Sequence, residues 1–353
     1  MQTVTVNASS SYPVHIGGGL LEQSGRLIAG ATAARGCAVV TDSTVGPLYA
    51  QRVCASLQTA GFAVQMYTFP AGERSKNLAT YGDILEFFAR HRLTRSDVVI
   101  ALGGGVTGDM AGFAAATYQR GVDYIQMPTT LLAAADSSVG GKTAVDLGAG
   151  KNLVGAFWQP KMVICDTDTF HTLPEDTFAD GVAETVKHGL IADADFFRFL
   201  MSEDIRGHID DVVRRNVEIK AAVVNEDEFE RGRRKILNFG HTLGHAVEKC
   251  SGFTITHGHA VAIGMVMASR AAEKMGFSPA GILDTVLACN RRFGLPTDCP
   301  YTAQEVYATA TSDKKRSGSS IDVVVLKEIG RAETVRLDME GLREFTEAAV
   351  AFS

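Results

Sequence analysis

Four short β-rich runs, Cys37–Thr41, Ala63–Phe69, Val98–Leu102 and Val122–Met127, are separated by helical stretches at Leu48–Ala60, at Leu78–His91 and from Met110 onward. Strands that alternate with helices are not joined by tight hairpins. They pair side by side in parallel, and each helix carries the chain back across the sheet. The first half is therefore predicted to be an α/β domain. From about Pro174 the apolar spacing becomes helical, most clearly over Phe178–Ile191, Ile209–Val224 and Arg234–Lys249, which predicts a mostly α-helical second domain. The expected domains are 1–173 and 174–353. Ile321–Leu326 and Thr334–Leu337 read as a late pair of strands that fits either one.

With 353 residues, 46% of them hydrophobic, the chain can bury a core for two domains. Its net charge of -6 argues against nucleic acid or an anionic membrane surface as partner, because both demand a basic face. An anionic small molecule would have to meet a local cluster of cations. The cysteines (Cys37, Cys54, Cys165, Cys250, Cys289 and Cys299) contain no C-x-x-C pair and are scattered through a chain too large to need staples, which reads as reduced thiols. Met1–Val14 has no basic segment followed by an apolar one, so no secretory signal is expected. Apolar stretches such as Val261–Ala268 are too short to cross a bilayer. A soluble cytoplasmic protein is expected.

The run Val98–Leu102 leads into Gly103-Gly104-Gly105-Val106-Thr107-Gly108-Asp109, and a helix follows. Glycines let backbone amides approach a phosphate, and a helix N-terminus adds favourable partial charge. Gly103, Gly105 and Gly108 have the G-x-G-x-x-G spacing, which by itself also suits a strand-to-helix turn that binds nothing. The best ribose carboxylate, Asp42, lies on an earlier strand rather than on the strand after the glycines, unlike a standard Rossmann order. In Gly72-Glu73-Arg74-Ser75-Lys76, Ser75 could simply cap the next helix.

Arg234, Asn238, His241 and His245 fall at i, i+4, i+7 and i+11 and would share one face of a helix over Arg234–Lys249. Leu237, Phe239 and Leu243 occupy other positions, so the polar stripe points to a cleft or a neighbouring helix as readily as to solvent. Glu184, Lys187 and His188 repeat the theme on Phe178–Ile191, where ordinary Glu–Lys pairing explains them equally well. His257 and His259 begin an apolar helix. Two histidines and a carboxylate would leave open positions on zinc, as a catalytic site requires. His241 and His245 have metalloprotease spacing, but position 242 is Thr, so the H-E-x-x-H glutamate is absent.

Taken together, these motifs resemble the 3-dehydroquinate synthase family from roughly Asp42 to Leu326. The likeness is carried by Gly103 to Asp109, Tyr118-Gln119-Arg120-Gly121, Pro128-Thr129-Thr130-Leu131-Leu132-Ala133 and Asp136-Ser137-Ser138-Val139-Gly140-Gly141-Lys142-Thr143. It continues through Gly150-Lys151-Asn152-Leu153, Gly181-Val182-Ala183-Glu184, Leu237-Asn238-Phe239-Gly240-His241-Thr242 and Asp313-Lys314-Lys315. The sequence departs from the usual pattern at His259, where Glu is common, at Asp180, where Ser is usual, and at Ala134-Ala135.

The resemblance implies a Rossmann-like N-terminal domain that holds NAD, a mostly helical C-terminal domain that holds zinc, and an active site between them. It implies Glu184, His241 and His257 as zinc ligands, with cobalt a possible substitute and His245 a catalytic group beside the metal. NAD contacts implied are Asp42, Glu73, Lys76, Gly104, Gly105, Val106, Asp109, Thr129, Thr130, Lys142, Lys151, Thr169 and Thr172. Substrate contacts implied are Lys142, Asn152, Lys187, Lys220, Arg234, Asn238, Lys314 and Lys315, with Asp136 beside them. Arg120 would reach the neighbouring subunit's site in a homodimer. The implied reaction is a carbon–oxygen lyase step of the shikimate pathway towards aromatic amino acids, in which 3-deoxy-D-arabino-heptulosonate 7-phosphate becomes 3-dehydroquinate and phosphate. Rival readings are a sibling sugar-phosphate cyclase acting on glucose 6-phosphate or sedoheptulose 7-phosphate, a metal-dependent polyol dehydrogenase, and a non-enzymatic NAD-binding paralogue.

Overall fold

The computed structural model describes residues 1–312 and 320–350, and Lys314 and Lys315 lie outside the described residues. The chain divides into two compact units, Met1–Leu173 with Ile209–Phe229 and Pro174–His208 with Glu230–Ser353.

The first unit opens with β1 (Gln2–Asn7), β2 (Ser11–Gly17), α1 (Ser24–Ala31), β3 (Gly36–Asp42), α2 (Gln51–Thr59), β4 (Ala63–Phe69), α3 (Leu78–Arg90), β5 (Val98–Gly103), α4 (Gly105–Thr117) and β6 (Asp123–Pro128). After it come β7 (Lys142–Leu147), β8 (Gly150–Phe157) and β9 (Met162–Asp166). The chain then enters the second unit as α5 (Glu175–Ala192) and α6 (Ala194–Ser202) and returns to the first as α7 (Ile209–Glu226). It finishes in the second unit as α8 (His241–Cys250), α9 (His257–Lys274), α10 (Ile282–Arg292), α11 (Ala303–Ser312), β10 (Ser320–Glu328), β11 (Arg331–Asp338) and α12 (Met339–Val350).

In the first unit the strands pair in the order β1-β2-β9-β6-β5-β3-β4, parallel throughout except for the antiparallel β1–β2 pair. Both faces of this sheet are buried, as parallel sheets require. On β3 and β5 the residues Cys37, Val39, Val98, Ile100 and Leu102 pack with Ile28, Val53 and Leu57 of α1 and α2. The alternate residues Ala38, Val40, Val99 and Ala101 pack with Ile84, Phe88, Met110 and Phe113 of α3 and α4. The period of two along each strand thus feeds two cores. A separate antiparallel hairpin, β7–β8, follows β6.

The boundary expected at 173/174 is only the first of three crossings. Helix α7 belongs to the first unit, where it buries Val212, Val213, Val217, Ala221 and Val224 and packs on β1 and β2. Its apolar stripe fits a sheet face as well as a helix, so periodicity alone could not say which unit it joins.

The second unit is helical around α9, whose residues from Ala260 to Ser269 are all buried. A helix apolar on all sides belongs at the centre of a bundle, and α5, α8, α10 and α12 pack against it. Helices α8 and α9 approach through glycine: a Cβ on Gly264 would stand 2.0 Å from the carbonyl oxygen of Gly240. The late strands β10 and β11 form their own antiparallel pair within this unit. The helix expected over Arg234–Lys249 is broken. Arg233–Asn238 is a 3-10 turn, Gly240 is left-handed at φ 77°, and α8 starts only at His241. A Cβ on Gly240 would lie 2.8 Å from the carbonyl oxygen of Val261, so close packing on α9 forces the break. Among the described residues, no helix is long and apolar enough to cross a membrane.

Candidate active site

The C-terminal ends of β3, β5 and β6 are neighbours, because β5 pairs with β3 on one side and β6 on the other. The chain leaves β3 for β4 in one direction and β5 for β6 in the other, so a topological switch point lies between β3 and β5, where open α/β sheets bind ligands. Asp42 ends β3 and Gly103 ends β5. The earlier strand that carries Asp42 is therefore the one beside the glycine turn.

Gly104 is the N-cap of α4 and makes no side-chain cap bond. Two of the glycines in the turn serve packing. A Cβ on Gly103 would lie 2.4 Å from Thr107 Oγ1, and one on Gly108 would lie 2.6 Å from Gln126 Oε1. Thr129 donates its amide to the Gly103 carbonyl at 3.0 Å. Its buried hydroxyl has no hydrogen-bond partner among the described residues. Thr130 Oγ1 accepts from Ala133 N at 3.1 Å. Asp42 Oδ1 accepts from the amides of Thr44 and Val45 at 2.8 and 2.9 Å, and Thr107 Oγ1 donates to its Oδ2 at 3.4 Å.

Three of the expected cations of this unit, Lys76, Lys151 and Lys220, form ion pairs. Lys76 Nζ lies 2.6 Å from Asp109 Oδ2 and donates to Asn152 Oδ1 at 2.5 Å. Burial opposes charge on Lys76, but the charge and hydrogen bond of Asp109 outweigh it and raise the ammonium's pKa. Lys151 meets Glu73 at 3.2 Å, and Lys220 Nζ lies 2.7 Å from Asp136 Oδ1. Lys142 opens β7, and Asn152 on β8 has φ 57°. Tyr49 donates to the Thr169 carbonyl at 3.0 Å and lies 2.5 Å from Thr172 Oγ1. Arg120 is not brought to this set. It is exposed and left-handed at φ 66°, beyond the C-terminal end of α4, whereas Gly104 is at the N-terminal end.

In the second unit, Glu184 of α5 is fully buried and touches Lys187, one turn on. Its Oε1 lies 3.5 Å from His241 Nε2 and 3.4 Å from His257 Nε2. Each histidine points its other nitrogen at a protein acceptor: His241 Nδ1 lies 3.1 Å from the Phe239 carbonyl, and His257 Nδ1 lies 3.6 Å from Glu248 Oε2. His245, one turn along α8 and exposed, stands with its ring 5.1 Å from that of His241 and 5.6 Å from that of His257. These three imidazoles each offer a nitrogen within 4.8 Å of the others.

Burial, helped by the positive charge of Lys187, holds the His241 pKa well below 6.5. Burial also opposes charge on His257, but hydrogen bonds to Glu184 and Glu248 outweigh it and lift the pKa to about 10. Arg234 is buried in the 3-10 turn, and Asn238 donates to Glu230 Oε1 at 2.5 Å. Sequence reasoning missed Glu230 and Glu248. Glu248 was within reach, since it continues the His241 and His245 stripe at i+7.

A family model for the 3-dehydroquinate synthase N-terminal domain matches residues 66–180, and one for the C-terminal domain matches 181–316. The chain belongs to the 3-dehydroquinate synthase family. A 3-dehydroquinate synthase from Streptococcus suis is 44% identical over 350 residues, covering 97% of this chain and 99% of the relative. Among solved structures, a 2-deoxy-scyllo-inosose synthase complexed with carbaglucose-6-phosphate, NAD+ and Co2+ superposes with a TM-score of 0.89 at 26% identity, covering 98% of this chain and 99% of that one. The 2-epi-5-epi-valiolone synthase from Streptomyces hygroscopicus subsp. jinggangensis, with NAD+ and Zn2+ bound, gives 0.86 at 27% identity, covering 98% and 97%. The 3-dehydroquinate synthase family models thus span both the glycine turn and the Glu184–His241–His257 cluster.

Proposed function

We propose that the protein converts 3-deoxy-D-arabino-heptulosonate 7-phosphate to 3-dehydroquinate and inorganic phosphate, with NAD and zinc as cofactors. The observation that carries this reading is Glu184 Oε1 set 3.5 and 3.4 Å from the Nε2 atoms of His241 and His257. Ligand atoms held at about 2.1 Å around a tetrahedral zinc lie about 3.4 Å from one another, so the trio has the spacing of a ligand set. The Phe239 carbonyl and Glu248 behind the two rings support it, because ligating imidazoles are oriented through their second nitrogen. Cobalt is expected to substitute.

NAD is assigned to Asp42, Glu73, Lys76, Gly104, Gly105, Val106, Asp109, Thr129, Thr130, Lys142, Lys151, Thr169 and Thr172. The switch point and the unpartnered Thr129 hydroxyl support this assignment. When bound, NAD supplies a hydride acceptor that is regenerated within each turnover, and zinc supplies a Lewis acid for the substrate's hydroxyls.

The chain's own residues bind and orient the substrate. Lys142, Asn152, Lys187, Lys220, Arg234 and Asn238, with Lys314 and Lys315, answer its phosphate and carboxylate with charge-assisted bonds. This reconciles a net charge of -6 with an anionic substrate. Lys220 holds Asp136 in place, and the exposed imidazole of His245 holds or passes a proton beside the metal. Arg120, at the far end of α4 from Gly104, suits action in a neighbouring subunit, and the protein is read as a homodimer. The free thiols of all six cysteines suit the cytoplasm.

The test is to mix the purified zinc protein with catalytic NAD and the heptulosonate phosphate. Phosphate release without net NADH is expected. Turnover of glucose 6-phosphate or sedoheptulose 7-phosphate alone would assign the chain to a sibling cyclase, and stoichiometric NADH would assign it to a dehydrogenase.

A further inference from the structure

Two positions where the sequence departs from the pattern it resembles, Asp180 and His259, meet in the second unit. Asp180 lies on α5, one turn before Glu184, and His259 lies on the first turn of α9, two residues after His257. Asp180 Oδ1 accepts from Thr256 Oγ1 at 2.6 Å and from the main-chain amide of His259 at 3.1 Å, and it lies 3.1 Å from His259 Nδ1. The same Nδ1 lies 2.6 Å from Thr256 Oγ1. Because one ring nitrogen faces both the hydroxyl and the carboxylate, the trio cannot be a nucleophile relay, which needs a different nitrogen for each partner.

The arrangement is instead a helix cap supplied by another helix. Thr256 occupies the N-cap position of α9 but its side chain makes no cap bond. The carboxylate of Asp180 takes that place, accepting the third amide of the first turn, where an N-cap side chain would bond and where negative charge is favoured. The backbones are close enough for this only because residue 258 is glycine. A Cβ there would stand 2.3 Å from Asp180 Cα and 2.4 Å from its carbonyl oxygen.

We propose that Asp180 is a positioning residue for the metal site: by tying the first turn of α9 to α5, it sets the 3.4 Å approach of His257 Nε2 to Glu184 Oε1. This rests on the reading of Glu184, His241 and His257 as the metal ligands. A carboxylate that orients a ligand without touching the metal is typically worth about 10- to 100-fold in metal affinity.

The test is zinc affinity by competition with a chromophoric chelator, together with the visible spectrum of the cobalt-loaded protein. Asp180→Ala should bind zinc about 10- to 100-fold more weakly and change the cobalt bands. Asp180→Asn, which keeps Oδ1 as acceptor, should recover most of both. Thr256→Val removes one donor to the clamp without removing Asp180 and should give an intermediate loss, so the idea stays testable should Asp180→Ala fail to fold. Zinc affinity unchanged in Asp180→Ala or, if that variant does not fold, in Thr256→Val would overturn the proposal. So would an Asn variant as weak as the Ala variant. Glu184→Ala, run in parallel, separates the two levels. If it loses zinc while Asp180→Ala keeps it, the clamp alone fails; if it keeps zinc, the ligand set is wrong and the clamp falls with it.

Discussion

The ammonium of Lys76 and the carboxylate of Asp109 form an ion pair 2.6 Å long, with side chains only 6% and 18% exposed. Removing one partner of such a pair leaves a charge in a poorly solvated place, at a cost of about 3–5 kcal/mol when burial is complete. Lys76→Met should therefore lower stability towards the bottom of that range. Lys76→Met with Asp109→Leu should be more stable than the single variant. Urea unfolding of the two singles and the double closes the cycle, and additive losses would show that the two groups are not coupled.

His241→Ala and His245→Ala should part company although the two rings are 5.1 Å apart. The first removes a proposed ligand, so zinc should be lost on dialysis against a mild chelator, and turnover with it. The second should keep zinc and slow turnover by about 100- to 10,000-fold, as a lost acid–base group does. Retention of zinc by His257→Ala together with its loss from His245→Ala would show that the adjacent pair on α8 holds the metal.

At pH 7 the metal-free site should hold one proton on its histidine pair. His241 is neutral because its pKa is far below 6.5, whereas His257, lifted to about 10, is charged. Zinc takes neutral imidazoles, so binding should release about one proton. Calorimetry in buffers of different ionisation heat counts it, and a heat independent of buffer would contradict the scheme. For the metal-free protein the sign follows from the raised pKa. His257 contributes stability in full below about 6.5, and this contribution is lost as pH rises through about 10.

Gly264→Ala should destabilise the second unit by about 1–3 kcal/mol through overpacking, because its methyl would fall 2.0 Å from the Gly240 carbonyl oxygen. Gly240 immediately precedes His241, so the same change should weaken zinc binding. Gly276, whose Cβ would meet nothing within 4 Å, has φ 73° and tests backbone strain alone. Thermal midpoints and zinc affinities of the two alanine variants should separate the effects, with only Gly264→Ala affecting the metal.

Much of this was legible in the residues. The β-rich runs became β3, β4, β5 and β6 because alternation with helices leaves a chain few other ways to bury both kinds of element. The order of strands was not legible. Asp42 is out of place for a Rossmann order read along the chain, and it is the pairing of β3 with β5 that sets it beside the glycine turn. The polar stripe from Arg234 to His245 reads as one helix because periodicity runs through Gly240 unbroken, whereas the left-handed turn there answers to α9, further along the chain. Glu230 gave no signal of its own, since its acceptance from Asn238 depends on a loop with φ 58° at Glu230.

The return of α7 to the first unit also bears on how the protein is made. Strand β1 is packed by α7; at its last residue the Asn7 amide donates to Asn225 Oδ1 at 2.8 Å, and just beyond it the Ser9 amide donates to Glu228 Oε2 at 2.7 Å. When synthesis has reached Leu173, the β1–β2 hairpin still lacks the helix that covers it, and the next segment to emerge, Pro174–His208, belongs elsewhere. Strand β1 must therefore wait for its partner until Ile209–Glu226 has been made, and the two units cannot mature one after the other as beads on a string.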